Sequence, residues 1–274
     1  LGALGPDLRD LPRSAEAELH LDAAAAPDLR DHAPADVPVV PIALAIEWFA
    51  RAAAAVRPGL ALVELRRLQV LRGLKLPRLH AGGHRLRLVI TPGPGDSLLA
   101  TLADDAGPPA IRAELVCGPR VTLPADQAPL GPPATYAGPL FHGPAFRVLG
   151  RPERLDAGGA IAPVAGVLTQ AWPGPFASDP AALDGALQLA LLWSWQASGG
   201  RSLPMAIARI ELHAAGPWPS PARCEVHPGA HDRSSGTCSL DLAAPDGRPL
   251  AALTGVELVV HGEAQPEPGS AAHA

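Results

Sequence analysis

Asp184 and Gln188 are the polar side chains that follow the cap in an otherwise apolar run, Asp179-Pro180-Ala181-Ala182-Leu183-Asp184-Gly185-Ala186-Leu187-Gln188-Leu189-Ala190-Leu191-Leu192-Trp193. Standing four apart, they share one face of a helix. A carboxylate on an apolar helix is costly unless it is paired or protonated. One reading is a surface pair facing water. The other is an acid whose pKa is raised by burial and whose carboxyl is held by Gln188. The second group with chemistry is His32. It lies in a proline-punctuated segment, Asp31-His32-Ala33-Pro34-Ala35-Asp36-Val37-Pro38-Val39-Val40-Pro41, and a nearly all-apolar stretch to Val56 follows it. Histidine changes charge near neutral pH, which suits it to moving protons.

Two long apolar helices must therefore position these groups. Pro41 opens the first at its first turn, where a missing N–H costs nothing. Asp179 caps the second, before Pro180. Strands are expected at Ala17–Leu21, Leu60–Val70, His84–Thr91, Leu98–Ala103 and Ala110–Cys117. A second set is expected at Phe146–Leu149, Gly159–Leu168, Ala206–Leu212, Cys224–His227, Thr237–Leu242 and Leu250–Val260. His84–Thr91 is the clearest, with Leu86, Leu88 and Ile90 on one face and Arg85 and Arg87 on the other. Asp104-Asp105-Ala106-Gly107 and Pro245-Asp246-Gly247 mark hairpin turns. The two halves repeat. Pro41 and Pro180 lie 139 apart, Leu65–Val70 and Ile207–Leu212 lie 142 apart, and Gly107 and Gly247 lie 140 apart. The expected fold class is α+β, a double hotdog: two repeats, each an antiparallel sheet wrapped on a long central helix. Its expected division is a linker at 1–16, the first repeat at 17–123, an inter-repeat linker at 124–138, the second repeat at 139–262 and a linker at 263–274.

His32-x-x-x-Asp36-x-x-x-x-Pro41 resembles the H-x-x-x-G-x-x-x-x-P motif of polyketide-synthase-type dehydratase domains. Asp184-x-x-x-Gln188 resembles their D-x-x-x-Q/H motif, and Pro139-Leu140-Phe141-His142-Gly143-Pro144-Ala145-Phe146 resembles their G-Y-x-Y-G-P-x-F motif. Leu203-Pro204 stands where the family has a Leu-Pro. The ordered set spans about 16–262. The wording at Leu140–Gly143 and at Glu47–Ala52 is most similar to dehydratases of polyunsaturated fatty acid synthases. The resemblance implies loss of water from a 3-hydroxyacyl thioester on the phosphopantetheine of an acyl carrier protein, with no cofactor of the domain's own and no metal. It implies His32 as base and Asp184 as acid, with Gln188 orienting Asp184. Asp36, Pro41, His142, Gly143 and Pro144 would shape the substrate path, and amides at a helix N-terminus would polarise the thioester carbonyl. Asp36 departs from the motif's Gly, and Pro139, Leu140 and His142 replace its Gly and both Tyr. His142 is a substitute for a Tyr hydroxyl that would assist the acid. The rival readings are an isomerase, a product-template-like cyclase with the same pair, and an inactive acyl-binding pseudo-dehydratase.

A net charge of −5 argues against nucleic-acid binding. Cys117, Cys224 and Cys238 show no metal or disulfide spacing, which with the lack of a leader reads as a cytoplasmic protein with reduced thiols. No stretch reads as a membrane span. The missing initial Met and the Pro/Glu/Ala/Ser-rich tail suggest a segment of a longer polypeptide. The expected partners are acyl carrier protein and neighbouring synthase domains, with a homodimer as a family-level expectation. Arg147, Arg151 and Arg154 are either a solvated edge or a dock for an acidic carrier. Glu47 is expected to be structural. His80-Ala81-Gly82-Gly83-His84 reads as a turn, and His227 and His231 as loop residues.

Overall fold

Buried and exposed residues alternate along strands such as the one over 84–88, and two long helices pack against the sheet they build. The computed structural model describes residues 14–105, 107–172 and 174–261. The linker expected at 263–274, most of that expected at 1–16, and Ala106 of the first hairpin turn lie outside the described residues. In chain order the elements are β1 (Ala15–Leu21), α1 (Ile42–Val56), β2 (Ala61–Val70), β3 (His84–Pro92), β4 (Leu98–Asp104), β5 (Pro109–Gly118) and β6 (Val121–Thr122). Then come β7 (Arg154–Asp156), β8 (Gly159–Val164), α2 (Pro180–Ser198), β9 (Ser202–Leu212), β10 (Ala214–Ala215), β11 (Ala222–His231), β12 (Ser235–Ala243) and β13 (Pro249–Val260).

Eleven of these strands form one sheet in the order β1-β3-β4-β5-β2-β9-β13-β12-β11-β8-β7. The left half mirrors the right: β2 corresponds to β9, β5 to β13, β4 to β12, β3 to β11 and β1 to β8. Helix α1 packs on the first group and α2 on the second, and the helices touch each other. The seam between β2 and β9 carries the symmetry in its register. Leu65 pairs with Ile210, and Leu68 pairs with Ile207. In a frame offset by 142 residues, Ile207 is the counterpart of Leu65 and Ile210 that of Leu68. A pairing that maps onto itself in this way is what a local twofold axis requires. All four side chains are fully buried, so a one-residue slip would turn this apolar row out to solvent.

The helices start and stop where their end residues dictate. Asp179 caps α2, its carboxylate accepting the Ala182 N–H at 3.1 Å. Gly199 ends it with φ of 73°, a left-handed C-cap that suits glycine. Pro41 takes the N-cap position of α1 rather than a place inside its first turn, and no side chain caps that end.

Two expected strands need correction, and other strands are added or extended. Phe146–Leu149 is not a strand: Pro144–Phe146 forms a 3-10 turn, and Leu149 makes only an isolated bridge to Val164. The strand expected at Gly159–Leu168 stops at Val164: the Ala165 N–H turns to the Val148 carbonyl, and the two amides after it bond to side chains instead of a ladder. The Gly166 N–H donates to the Ser220 hydroxyl and the Val167 N–H to the Asp179 carboxylate. Strand β7, which pairs with β8 across Ala157-Gly158, is additional to the expected set. His227 and His231 lie in β11 rather than in a loop. Gly229 and Ala230 are absorbed there by a register shift against β12, between the pairs Pro228–Cys238 and His231–Gly236.

Candidate active site

His32 reaches the site from the loop ahead of α1. Its Nδ1 donates to the Val39 carbonyl at 3.0 Å, which fixes the ring and leaves Nε2 facing inward. Across the inter-repeat boundary, Asp184 projects from α2 with Oδ1 4.0 Å from His32 Nε2. Gln188, one turn further along α2, donates from Nε2 to Asp184 Oδ2 at 2.7 Å and to the Phe146 carbonyl at 2.8 Å. His142 completes the group, its Nε2 3.8 Å from Asp184 Oδ2 and its ring stacked on Phe141. All four polar side chains are buried. The ligating atoms of His32, His142 and Asp184 lie within 4.8 Å of one another.

Burial sets the protonation states. Withdrawal from water disfavours charge, so the His32 imidazole is pushed down to about 4 and the Asp184 carboxyl up to about 7. His142 is lowered well below the usual histidine value by the same cause, with the neighbouring His32 adding to it. Between about 4 and about 7 the pair is thus a neutral imidazole facing a carboxyl that keeps its proton, and near neutrality that carboxyl is still partly protonated. The cavity they share has a volume of about 350 Å³ and walls of Val39, Val70, Ile111, Phe141, Leu187 and Leu191. Leu203 and Pro204 also line it. So does Ile42, in the first turn of α1, where amides have no helical carbonyl to bond.

The other expected site residues lie behind this lining. The Gly143 N–H donates to the Asp31 carbonyl at 2.7 Å, and the Ala145 N–H donates to the Asp31 carboxylate at 2.8 Å. A Cβ on Gly143 would fall 2.6 Å from the Asp31 carboxyl carbon, so only glycine fits. Pro144 opens the 3-10 turn that carries Phe146 against the His32 ring. Asp36 has φ of 62° and follows Ala35 at φ of 59°. The glycine of the resembled motif is thus explained by a left-handed backbone, and aspartate tolerates that region better than most residues. Asp36→Gly is expected to stabilise the fold by up to about 1 kcal/mol, the left-handed penalty less the entropy glycine adds to the unfolded chain. Urea midpoints of the two proteins measure it.

Two residues of the site carry no readable signal in the local sequence pattern. Asp31 is one. The other is Tyr136, the single tyrosine of the chain. Its hydroxyl donates to Gln188 Oε1 at 2.8 Å and accepts the Leu149 N–H at 2.8 Å. The middle motif lacks its tyrosines, and Tyr136 brings a hydroxyl to the same network from a few residues upstream. Being the only tyrosine, it could have been singled out. As a positioning residue it should act on kcat: Tyr136→Phe frees the Gln188 amide, and kcat is expected to fall about tenfold with KM nearly unchanged. Steady-state kinetics separate the two constants.

The local twofold also generates a second cavity. The counterparts of His32, Asp184 and Gln188 at an offset of 140 are Trp172, Leu44 and Trp48, and all three line a smaller cavity of about 230 Å³. Among the described residues, its walls hold no His–Asp pair like that of the larger cavity. Glu47, which also borders it, is bound to the backbone of 177–178. His84 accepts the Arg78 N–H within the turn expected there. Arg154 pairs with Glu225, Arg147 lies over the Tyr136 ring, and Arg151 is exposed. Among the described residues, no helix is long and apolar enough to cross a membrane.

Two antiparallel sheets joined edge to edge on two central helices, with a buried His–Asp pair drawn from both repeats, define a double hotdog. The family model for the polyketide synthase dehydratase N-terminal domain matches residues 116–268, and the chain belongs to the polyketide synthase dehydratase family. The match contains Asp184 and Gln188, whereas His32 lies outside it and joins them through geometry. Among solved structures, the chain is similar to the dehydratase domain from the CurF module of curacin polyketide synthase: TM-score 0.71, 14% identity, covering 94% of this chain and 96% of that one. It is similar also to the dehydratase domain of the polyketide PpsC from Mycobacterium tuberculosis, at TM-score 0.71 and 20% identity over 91% and 94% of the two chains. The dehydratase domain from the terminal module of the rifamycin polyketide synthase aligns at TM-score 0.64 and 23% identity over 90% and 91%. No curated protein matches the sequence.

Proposed function

We propose that this domain eliminates water from a 3-hydroxyacyl thioester carried on the phosphopantetheine of an acyl carrier protein, giving the 2-enoyl thioester. The observation that carries this reading is the His32 imidazole facing the Asp184 carboxyl across 4.0 Å in an apolar cavity, where burial favours the uncharged form of both. The α-proton is weakly acidic and hydroxide is a poor leaving group, so the reaction needs a base and an acid on the two sides of one Cα–Cβ bond. His32 Nε2 takes the α-proton. The electron pair left on Cα forms the double bond as the Cβ–O bond breaks. Asp184 delivers its proton to the departing oxygen, which leaves as water. Return of the proton from His32 to the Asp184 carboxylate resets the site. Gln188, held by Tyr136 and the Phe146 carbonyl, keeps the carboxyl in place. Negative charge on the thioester oxygen is met by unpaired first-turn amides of α1.

The finer context follows from the motif wording. A polyunsaturated fatty acid synthase is the parent that the Leu140–Gly143 and Glu47–Ala52 stretches favour, and the exposed Arg151 edge suits an acidic carrier protein. The test is direct. A 3-hydroxyacyl carrier protein, or its pantetheine thioester, is incubated with the domain and followed by mass spectrometry. The expected result is loss of one water from the acyl group. No loss, together with no hydration of the enoyl thioester in reverse, overturns the reading and leaves an acyl-binding pseudo-dehydratase. A product that has moved its double bond or closed a ring selects the isomerase or the cyclase.

A further inference from the structure

His142 stands where the resembled motif has a tyrosine, and it changes the chemistry of the donor set. A tyrosine would place one phenol beside the acid. Histidine instead places a second nitrogen donor there, and the site becomes two imidazoles and one carboxyl. The Nε2 atoms of His32 and His142 lie 4.0 Å and 3.8 Å from the two Asp184 oxygens, and one ligating atom from each residue falls within a 4.8 Å group. Three atoms all within 4.8 Å of one another have a central point no more than about 2.8 Å from any of them, against the ~2.0–2.2 Å that zinc takes to histidine nitrogen and carboxylate oxygen. Side-chain shifts of up to about 0.8 Å close that difference.

The surroundings fit as well. His32 donates through Nδ1 to the Val39 carbonyl, the outer hydrogen bond that ligating histidines make, and its Nε2 lone pair is thereby aimed inward. His142 is 4% exposed, and its Nδ1 has no hydrogen-bond partner. Its Nε2 already faces Asp184, the ring is seated by its stack on Phe141, and among the described residues no hydrogen bond at Nδ1 competes with that orientation. The third donor, Asp184, is seated by Gln188. The cavity borders all three residues and gives room for a fourth ligand from water or substrate.

We propose that His32, His142 and Asp184 form a reversible binding site for a divalent transition-metal ion of zinc's size, and that bound metal blocks dehydration. Metal binding displaces the Asp184 proton to solvent and occupies the His32 lone pair, so acid and base are withdrawn together. No bond of the substrate is changed and no electron moves. The inference rests on the proposed acid–base pair for its inhibitory half and on geometry alone for binding.

The experiment uses the tag-free 274-residue chain carrying Cys117→Ser, which removes the half-buried thiol as a competing ligand. Zinc chloride is titrated by calorimetry, and bound zinc is counted after gel filtration. One zinc per chain is expected, with affinity at least tenfold weaker in His142→Phe and in Asp184→Asn. Dehydration of a 3-hydroxyacyl pantetheine thioester should fall with added zinc and return with EDTA. Less than half an equivalent bound, or equal affinity in both variants, overturns the site. The two variants give the same reading independently, so a folding failure of one leaves the other decisive. Zinc bound at one equivalent by a protein that never eliminates water supports the site and counts against the dehydratase reading. Water elimination without zinc binding does the reverse.

Discussion

Asp184→Asn is expected to lower kcat by about a thousandfold and to leave the protein at least as stable as before. The amide retains an oxygen for the Gln188 bond at 2.7 Å but has no proton to give to the leaving hydroxyl, and positioned acids are worth about 10² to 10⁴ in rate. The stability half follows from linkage. Burial raises the Asp184 carboxyl from 3.8 in a free chain to about 7 in the fold. Its proton is bound in both states at low pH. As pH climbs from 3.8 towards 7, the unfolded chain releases that proton and the folded one does not, so stability drains away across that window and levels off above it. The asparagine variant escapes this loss, and its advantage over the wild type should grow through the same window. The wild-type rate is expected to be flat across the window in which stability falls. It needs neutral His32 and protonated Asp184, so kcat/KM should hold between about 4 and about 7, falling below as His32 gains a proton and above as Asp184 loses one. Rate profiles and urea midpoints across pH, for both proteins, measure the two halves separately. Retained turnover in Asp184→Asn would remove Asp184 as the acid.

The parts of this site legible in the sequence are those that local periodicity controls. Asp184 and Gln188 announce themselves because a helix repeats every 3.6 residues, so two polar groups four apart in an apolar run must share a face. The duplication is legible for a similar reason. Leu65–Val70 and Ile207–Leu212 have the same pattern because each supplies the apolar row of one side of the β2–β9 seam. Periodicity says nothing about 123–150, where proline and glycine break every pattern and the backbone is held by contacts from far away. Asp31 grips the amides of Gly143 and Ala145 across more than a hundred residues. Tyr136 reaches Gln188 across 52. Neither contact leaves a local trace. The error at Phe146–Leu149 has the same origin: Phe146 faces the His32 ring, while Val148 and Leu149 are buried in two different core clusters rather than on one face of a sheet. Pairing His32 with Asp184 needed the whole chain, since the two are brought together by the twofold arrangement of the repeats.

Glu47→Ala is expected to cost about 3 kcal/mol of stability or more, because it strips the acceptor from three hydrogen-bond donors at the start of the second repeat's helix. Glu47 lies on α1 and is 1% exposed. Its carboxylate accepts the Ala177 N–H at 2.9 Å, the Ser178 N–H at 2.8 Å and the Ser178 hydroxyl at 2.7 Å, and Arg51 pairs with it at 3.2 Å. Truncation leaves these donors without an acceptor in a place water reaches poorly, at about 1–3 kcal/mol each before relaxation. The consequence reaches the chemistry through geometry. Residues 177–179 are the entrance to α2, and Asp179 there accepts the amides of Val167, Ala182 and Trp218. A carboxylate of the first repeat thus seats the helix of the second, and with it the acid that faces His32. The expected signature is a lower urea midpoint with an unchanged m-value, and a kcat that falls far less than in Asp184→Asn when both are assayed well below their melting temperatures. Glu47→Gln, which keeps one oxygen for the amides, should lie between wild type and alanine in stability. Were Glu47 the proton donor instead, glutamine would abolish turnover with little change in the midpoint, and the two variants side by side decide the matter.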